Sequence, residues 1–105
     1  MINNKNIPNF KNIDTSIGLS HMADNKELYL NILNDFKNKY QDLKLDILNE
    51  KEFYRVIHTI KSLSATIGAL KLNEISKKIE NIKKKEYIEE FYKELKAVLK
   101  EYNIT

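Results

Sequence analysis

The sequence predicts an all-α protein, an antiparallel four-helix bundle with a short N-terminal covering helix. Three observations predict it. Two glycines and one proline in 105 residues leave little of the turn chemistry that strands and hairpins depend on, whereas long helices avoid both residues. Apolar residues recur at helical spacing along successive stretches. The links between those stretches are short, and antiparallel packing is the economical way for neighbouring amphipathic helices to bury their stripes.

Residues 1–13 read as a polar lead-in or linker, with Asn3, Asn4, Asn6, Asn9 and Asn12 around Pro8 and no period; the bundle domain takes 14–105. A short helix is expected over about 14–21. The next helix starts at Asp24, whose carboxylate caps the first turn while Glu27 supplies the reciprocal half of a capping box. From there Leu28, Ile32, Phe36, Tyr40 and Leu43 recur at helical spacing. A loop at 46–49 leads to a third helix over about 50–67. Gly68 closes it, the natural residue for a left-handed C-terminal turn. A fourth helix carries Leu72, Ile75, Ile79 and Ile82 on one face. It ends in Lys83, Lys84 and Lys85, cations suited to the negative end of a helix dipole. The last helix, about 86–102, shows Ile88, Phe91, Leu95, Val98, Leu99 and Tyr102.

Composition excludes several classes of function. With 42% apolar and 31% charged residues the chain is globular, and its length allows one domain. Without cysteine it has neither disulfides nor thiolate metal sites. No charge-free stretch approaches the roughly 20 apolar residues of a membrane span. The asparagine-rich start lacks the apolar core of a signal peptide. A cytoplasmic protein without direct membrane contact is expected. The net charge of +3 comes almost wholly from lysine, Arg55 being the only arginine, and acidic residues are interleaved throughout. That pattern describes solvated helix faces rather than the arginine-rich stripe of a nucleic-acid reader.

The third helix carries the chemistry. Each residue advances about 100° around a helix. With His58 at zero, Phe53, Val56, Ile57, Ile60, Leu63 and Ile67 fall between roughly 140° and 260°. The imidazole therefore faces away from the apolar stripe, and Lys61, Ser62 and Ala65 share its face within about 60°. Helical geometry alone is equally met by an ordinary surface histidine. A metal role is poorer: only His21 could join His58, and no carboxylate or second histidine lies at i+3 or i+4. A Ser-His-Asp hydrolase needs an oxyanion hole and a pocket, which an exposed helix face does not offer. The two glycines stand fifty residues apart, so no loop cradles the phosphates of ATP.

His58-Thr59-Ile60-Lys61-Ser62, then Gly68-Ala69, Leu72 and Ile79-Glu80, together resemble the signature of the histidine-containing phosphotransfer (HPt) domain family. That signature has lysine three residues after the histidine, a small residue next, glycine ten after it and Glu or Gln twenty-two after it. Upstream, Ile13-Asp14, Gly18-Leu19, Leu28-Tyr29, Leu33 and Phe36 also resemble the family's lead-in, so the likeness covers about residues 7–82. Ser62 departs from the usual glycine but is still small. The dimerisation helix of a sensor kinase is the poorer likeness. There an acidic residue follows the histidine and a proline comes soon after, whereas here Thr59 follows and no proline lies beyond Pro8.

The resemblance implies a phosphorelay carrier without ATP-dependent kinase activity of its own. His58 would accept a phosphoryl group on its outer ring nitrogen from an aspartyl phosphate on a receiver domain and pass it to another receiver. Lys61 would neutralise the phosphoryl oxygens, Ser62 would keep the site open, and Glu80 would hold the other ring nitrogen as N–H. The chain needs no cofactor, since Mg2+ belongs to the partner receiver. Receivers of response regulators or hybrid sensor kinases would dock on Ile17, Tyr54, Lys61, Ser62 and Ala65. Gly18 would allow a sharp turn that lets the first helix cover the bundle, or would simply end that helix. The protein is expected to be a monomer. Ile7-Pro8 before Asp14 resembles the linker of a hybrid sensor kinase, which favours the cytoplasmic end of a membrane-bound hybrid kinase over a free-standing protein. The alternatives are a helical docking module that keeps this fold and binds receivers without the chemistry, and a plain structural bundle.

Overall fold

Short polar side chains start three of the helices, each taking up a backbone N–H that a first turn leaves without a partner. The computed structural model describes residues 10–101. It is all-helical, with no strand among the described residues: α1 (Thr15–Ser20), α2 (Lys26–Tyr40), α3 (Glu50–Ile67), α4 (Leu70–Asn81) and α5 (Lys85–Glu101), with a 3-10 turn at Leu45–Ile47. No described helix is long and apolar enough to cross a membrane. The places assigned to Ile7-Pro8 and Tyr102 lie outside the described residues.

Asp14 caps α1 by accepting the Ile17 N–H at 3.2 Å, and the Ser16 hydroxyl donates to the same oxygen at 2.7 Å. These hydrogen bonds, the Ser16 one foremost, hold the Asp14 carboxyl below its ordinary range. The start of α2 corrects the sequence reading. Asn25, not Asp24, is the cap, accepting the Leu28 N–H at 2.9 Å. Ala23 and Asp24 both take left-handed backbone, with φ of 51° and 59°, so Asp24 lacks the extended conformation a cap requires. The buried stripe of α2 is also rotated from the expected one. Tyr29, Leu33, Phe36 and Tyr40 face the core, Leu28 is 44% exposed, and Leu43 lies beyond the helix end. The shift follows from Tyr29, whose hydroxyl donates to the Ile67 carbonyl at 2.7 Å and fixes the rotation of α2 against α3.

Helix α3 begins with a capping box: Asn49 accepts from Glu52 N–H, and the Glu52 carboxylate accepts from Asn49 N–H. It ends as expected at Gly68, with φ 91°. Ala69 N–H donates to the Ser64 carbonyl and Gly68 N–H to that of Ala65, the double closure of a Schellman turn. From this corner α4 runs back along α3.

The end of α4 is a second correction. Ile82, placed on the apolar face by its spacing, adopts extended backbone as the chain reverses and is 54% exposed. The three lysines do not sit in the last turn of α4, where Lys78 does; Lys83 instead lies 4.3 Å over the Phe53 ring and Lys85 opens α5.

Helix α3 is central, packing against α1, α2 and α4, while α5 packs on α4. The core draws Tyr29 and Leu33 from α2, Ile57, Ile60 and Ile67 from α3, Leu72 and Ile79 from α4, and Phe91 and Val98 from α5. The last described part of the lead-in does not trail from this body. Ile13 is buried, Phe10 packs against the core, and the N–H groups of Lys11 and Asn12 donate to the Glu101 carboxylate.

Candidate functional site

On the outer face of α3, 64% of the His58 side chain is open to solvent, midway along the helix. Ile57 and Ile60, on the other side, are fully buried. Glu80 comes from α4, and its two oxygens are divided between two partners. Oε2 lies 2.7 Å from His58 Nδ1, and Oε1 accepts from Lys61 Nζ at 2.6 Å. The hydrogen bonds from Lys61, and secondarily from His58, keep the Glu80 carboxyl below its ordinary range. An ionised carboxylate has no proton to give, so Nδ1 is the donor in this contact. In the neutral ring the lone pair therefore sits on Nε2, which has no protein partner among the described residues.

The sequence-predicted residues fall into two groups. His58, Lys61 and Glu80 are brought into direct contact. Ser62 is exposed and Ala65 half-buried on the same face of α3, leaving the approach to the imidazole low. Tyr54, one turn before His58, is half-buried and stands edge-on to Phe53. Ile17 is half-buried on α1, which rests on the far end of α3 at Ile67, about 13 Å along the axis from His58.

Gly18 has a different part from either of those expected of it. It lies inside α1, neither at a turn nor at a terminus, and a Cβ there would run into the Tyr29 ring and the Ile67 carbonyl. The missing side chain lets α1 press against α2 and α3. Gly68 serves the same junction: its carbonyl accepts Asp14 N–H at 2.8 Å, and a Cβ on it would meet the Asp14 carbonyl.

Two residues that hold the backbone beneath the site, neither touching the imidazole, the ammonium group or the carboxylate, were not singled out in the sequence. Asn73 Nδ2 donates to the Lys61 carbonyl at 2.7 Å, and Ser64 Oγ donates to the same carbonyl at 3.0 Å. The signal available was a polar residue amid the apolar positions of α4, between Leu72 and Ile75.

His21, the one candidate to share a metal with His58, instead has its Nδ1 at 3.0 Å from the Thr66 carbonyl. Among the described residues no group of three or more His, Asp or Glu side chains is placed to hold a metal ion. A cavity of about 600 Å³ opens between the lead-in, the start of α4 and Glu94, and none of the His58 cluster lines it. The His58 site is thus an open surface with one nucleophilic nitrogen, one cation and one anion. No protein family, curated protein or solved structure gives a significant match to the chain.

Proposed function

We propose that the protein is a phosphocarrier of the HPt type, taking a phosphoryl group from an aspartyl phosphate on a receiver domain and handing it to another receiver. The observation that carries this reading is the division of Glu80 between His58 Nδ1 and Lys61 Nζ. It leaves an exposed Nε2 as the reactive nitrogen and holds an ammonium group one helical turn away. The Nε2 lone pair attacks phosphorus, the bond from phosphorus to the aspartyl oxygen breaks, and the carboxylate leaves with that electron pair. The imidazole proton stays on Nδ1 against Glu80, so no separate base is required. Transfer of this kind depends mainly on positioning and charge stabilisation, which suits so open a site. Lys61 releases Glu80 to meet the phosphoryl oxygens as a flexible point charge. The receiver supplies Mg2+ and the acidic residues that hold it.

In this reading α2 to α5 make an antiparallel four-helix bundle and α1 covers one end of it. The receiver docks on the open face of α3 beside Tyr54, Ser62 and Ala65, with Ile17 at the margin. The protein works in the cytoplasm, as a monomer or as the terminal part of a hybrid sensor kinase.

Incubation with a phosphorylated receiver is the test. Acid-labile, base-stable phosphate on the chain, absent from His58→Gln, is the expected result. A His58→Gln variant that still accepts phosphate overturns the assignment, and a wild-type chain that binds receivers without accepting phosphate is a docking module instead.

A further inference from the structure

Among the described residues, two side chains of α4 hydrogen-bond to α3, and both reach one turn of it. Glu80 holds the side chains of His58 and Lys61, and Asn73 holds the main-chain carbonyl of Lys61. The two are seven residues apart, which brings them onto one face of α4 two turns from each other.

They differ in what they can fix. Glu80 is partly exposed and grips flexible side-chain ends, so its contacts tolerate shifts of the backbone. Asn73 is 9% exposed and its bond ends on a rigid carbonyl, so it responds to both rotation and sliding of α4. Around it the two helices approach closely. Ser64 and Ser76 are fully buried, and each returns its hydroxyl to a carbonyl of its own helix, at Lys61 and Leu72. A slip of α4 by one residue would move Glu80 by about 1.5 Å along the axis and about 100° around it. Flexible side chains can follow the axial shift, but the rotation turns the carboxylate off the face of α4 that meets α3, and the contacts of 2.6 and 2.7 Å are lost.

We propose that Asn73 is a positioning residue for the His58 site, setting the rotation and register of α4 at which one carboxylate reaches both the imidazole and the ammonium group. Its consequence for phosphoryl transfer rests on the phosphocarrier reading, while its consequence for the imidazole does not. Asn73→Leu keeps the volume and removes the donor; Asn73→Ser keeps a polar group too short to reach the Lys61 carbonyl. Ser64→Ala is the control, because it removes a donor to the same carbonyl from within α3 and leaves the link between helices intact.

The tautomer of neutral His58, read from ring ¹⁵N shifts, and the rate of phosphorylation by phosphoramidate are measured on the full chain. Both Asn73 variants are expected to move the ring away from the Nδ1–H form and to slow phosphorylation roughly tenfold, the low end of what partners orienting metal-bound histidines contribute. Ser64→Ala is expected to leave both readings unchanged. Asn73 variants with the wild-type tautomer and rate overturn the proposal, as does a Ser64→Ala that reproduces their loss. Should wild-type His58 take no phosphate while the tautomer still follows Asn73, the phosphocarrier reading falls and the positioning role stands.

Discussion

Glu80 Oε2 stands 2.7 Å from His58 Nδ1, and this contact decides which nitrogen of the neutral ring keeps its lone pair. The same carboxylate spends its other oxygen on Lys61, so the cation and the imidazole are held by one group between them. Lys61 is the larger cause of the lowered Glu80 pKa.

Glu80→Ala should free the imidazole to exchange tautomers and, in the phosphocarrier reading, slow phosphorylation of His58 roughly tenfold. The contact also has a pH signature. Because the Glu80 carboxyl is held below its ordinary range, the contact persists above the unfolded value and is lost only as pH falls through the lowered one. Carboxyl ¹³C shifts across an acid titration measure the pH effect, and an unchanged Nδ1–H population of the neutral ring in the alanine variant would refute the hold on the tautomer.

In the phosphocarrier reading, Lys61→Ala should slow transfer while leaving the fold intact. Its ion pair with Glu80 is partly exposed, which limits its worth to about 0–1 kcal/mol. Circular dichroism melting and transfer kinetics on one preparation separate the two effects. Unfolding of the variant at room temperature would make Lys61 structural.

Tyr29→Phe should destabilise the protein by about 1–2 kcal/mol, because the Ile67 carbonyl loses a buried donor. Burial, aided by the negative charge of Asp14, pushes the Tyr29 hydroxyl above its ordinary pKa, so it is a neutral donor at every physiological pH. Denaturant titration gives the difference, and a variant as stable as wild type would show that packing alone holds this junction.

Glu94→Gln should stabilise the protein near neutral pH by about 1 kcal/mol. Glu94 is 6% exposed, Oε2 has no hydrogen-bond partner among the described residues, and Lys71 approaches Oε1 only to 3.8 Å. Burial raises its pKa, Lys71 opposes that shift and Glu101 adds to it. A raised folded-state pKa means that stability is complete below the unfolded value and declines as pH rises through the folded one. The variant lacks that decline, so its advantage should vanish in acid. Melting curves at acidic and neutral pH check it; an advantage that grows on acidification would reverse the sign.

Much of this protein was legible one helix at a time. The bounds of α3, the left-handed stop at Gly68 and the outward imidazole follow from residues within a few turns of each other. Where neighbouring signals competed, the local reading failed. Asp24 and Asn25 are both good caps, and only the left-handed backbone at Asp24 selects between them. Leu28 and Tyr29 are both apolar enough to face a core, and the Tyr29 bond to Ile67 settles which does. Asn73 had no single-helix role to betray it, since its partner lies on another helix.

The order of residues by itself determined an all-helical chain with a histidine turned outward at the middle of one helix, because the angle between side chains on a helix depends on spacing alone. The meeting of Glu80 with both His58 and Lys61, the seating of Gly18 against Tyr29, and the register kept by Asn73 were decided only in the tertiary structure. Those contacts depend on how far one helix slides and turns against another, and that is settled by the packing of all the buried side chains together.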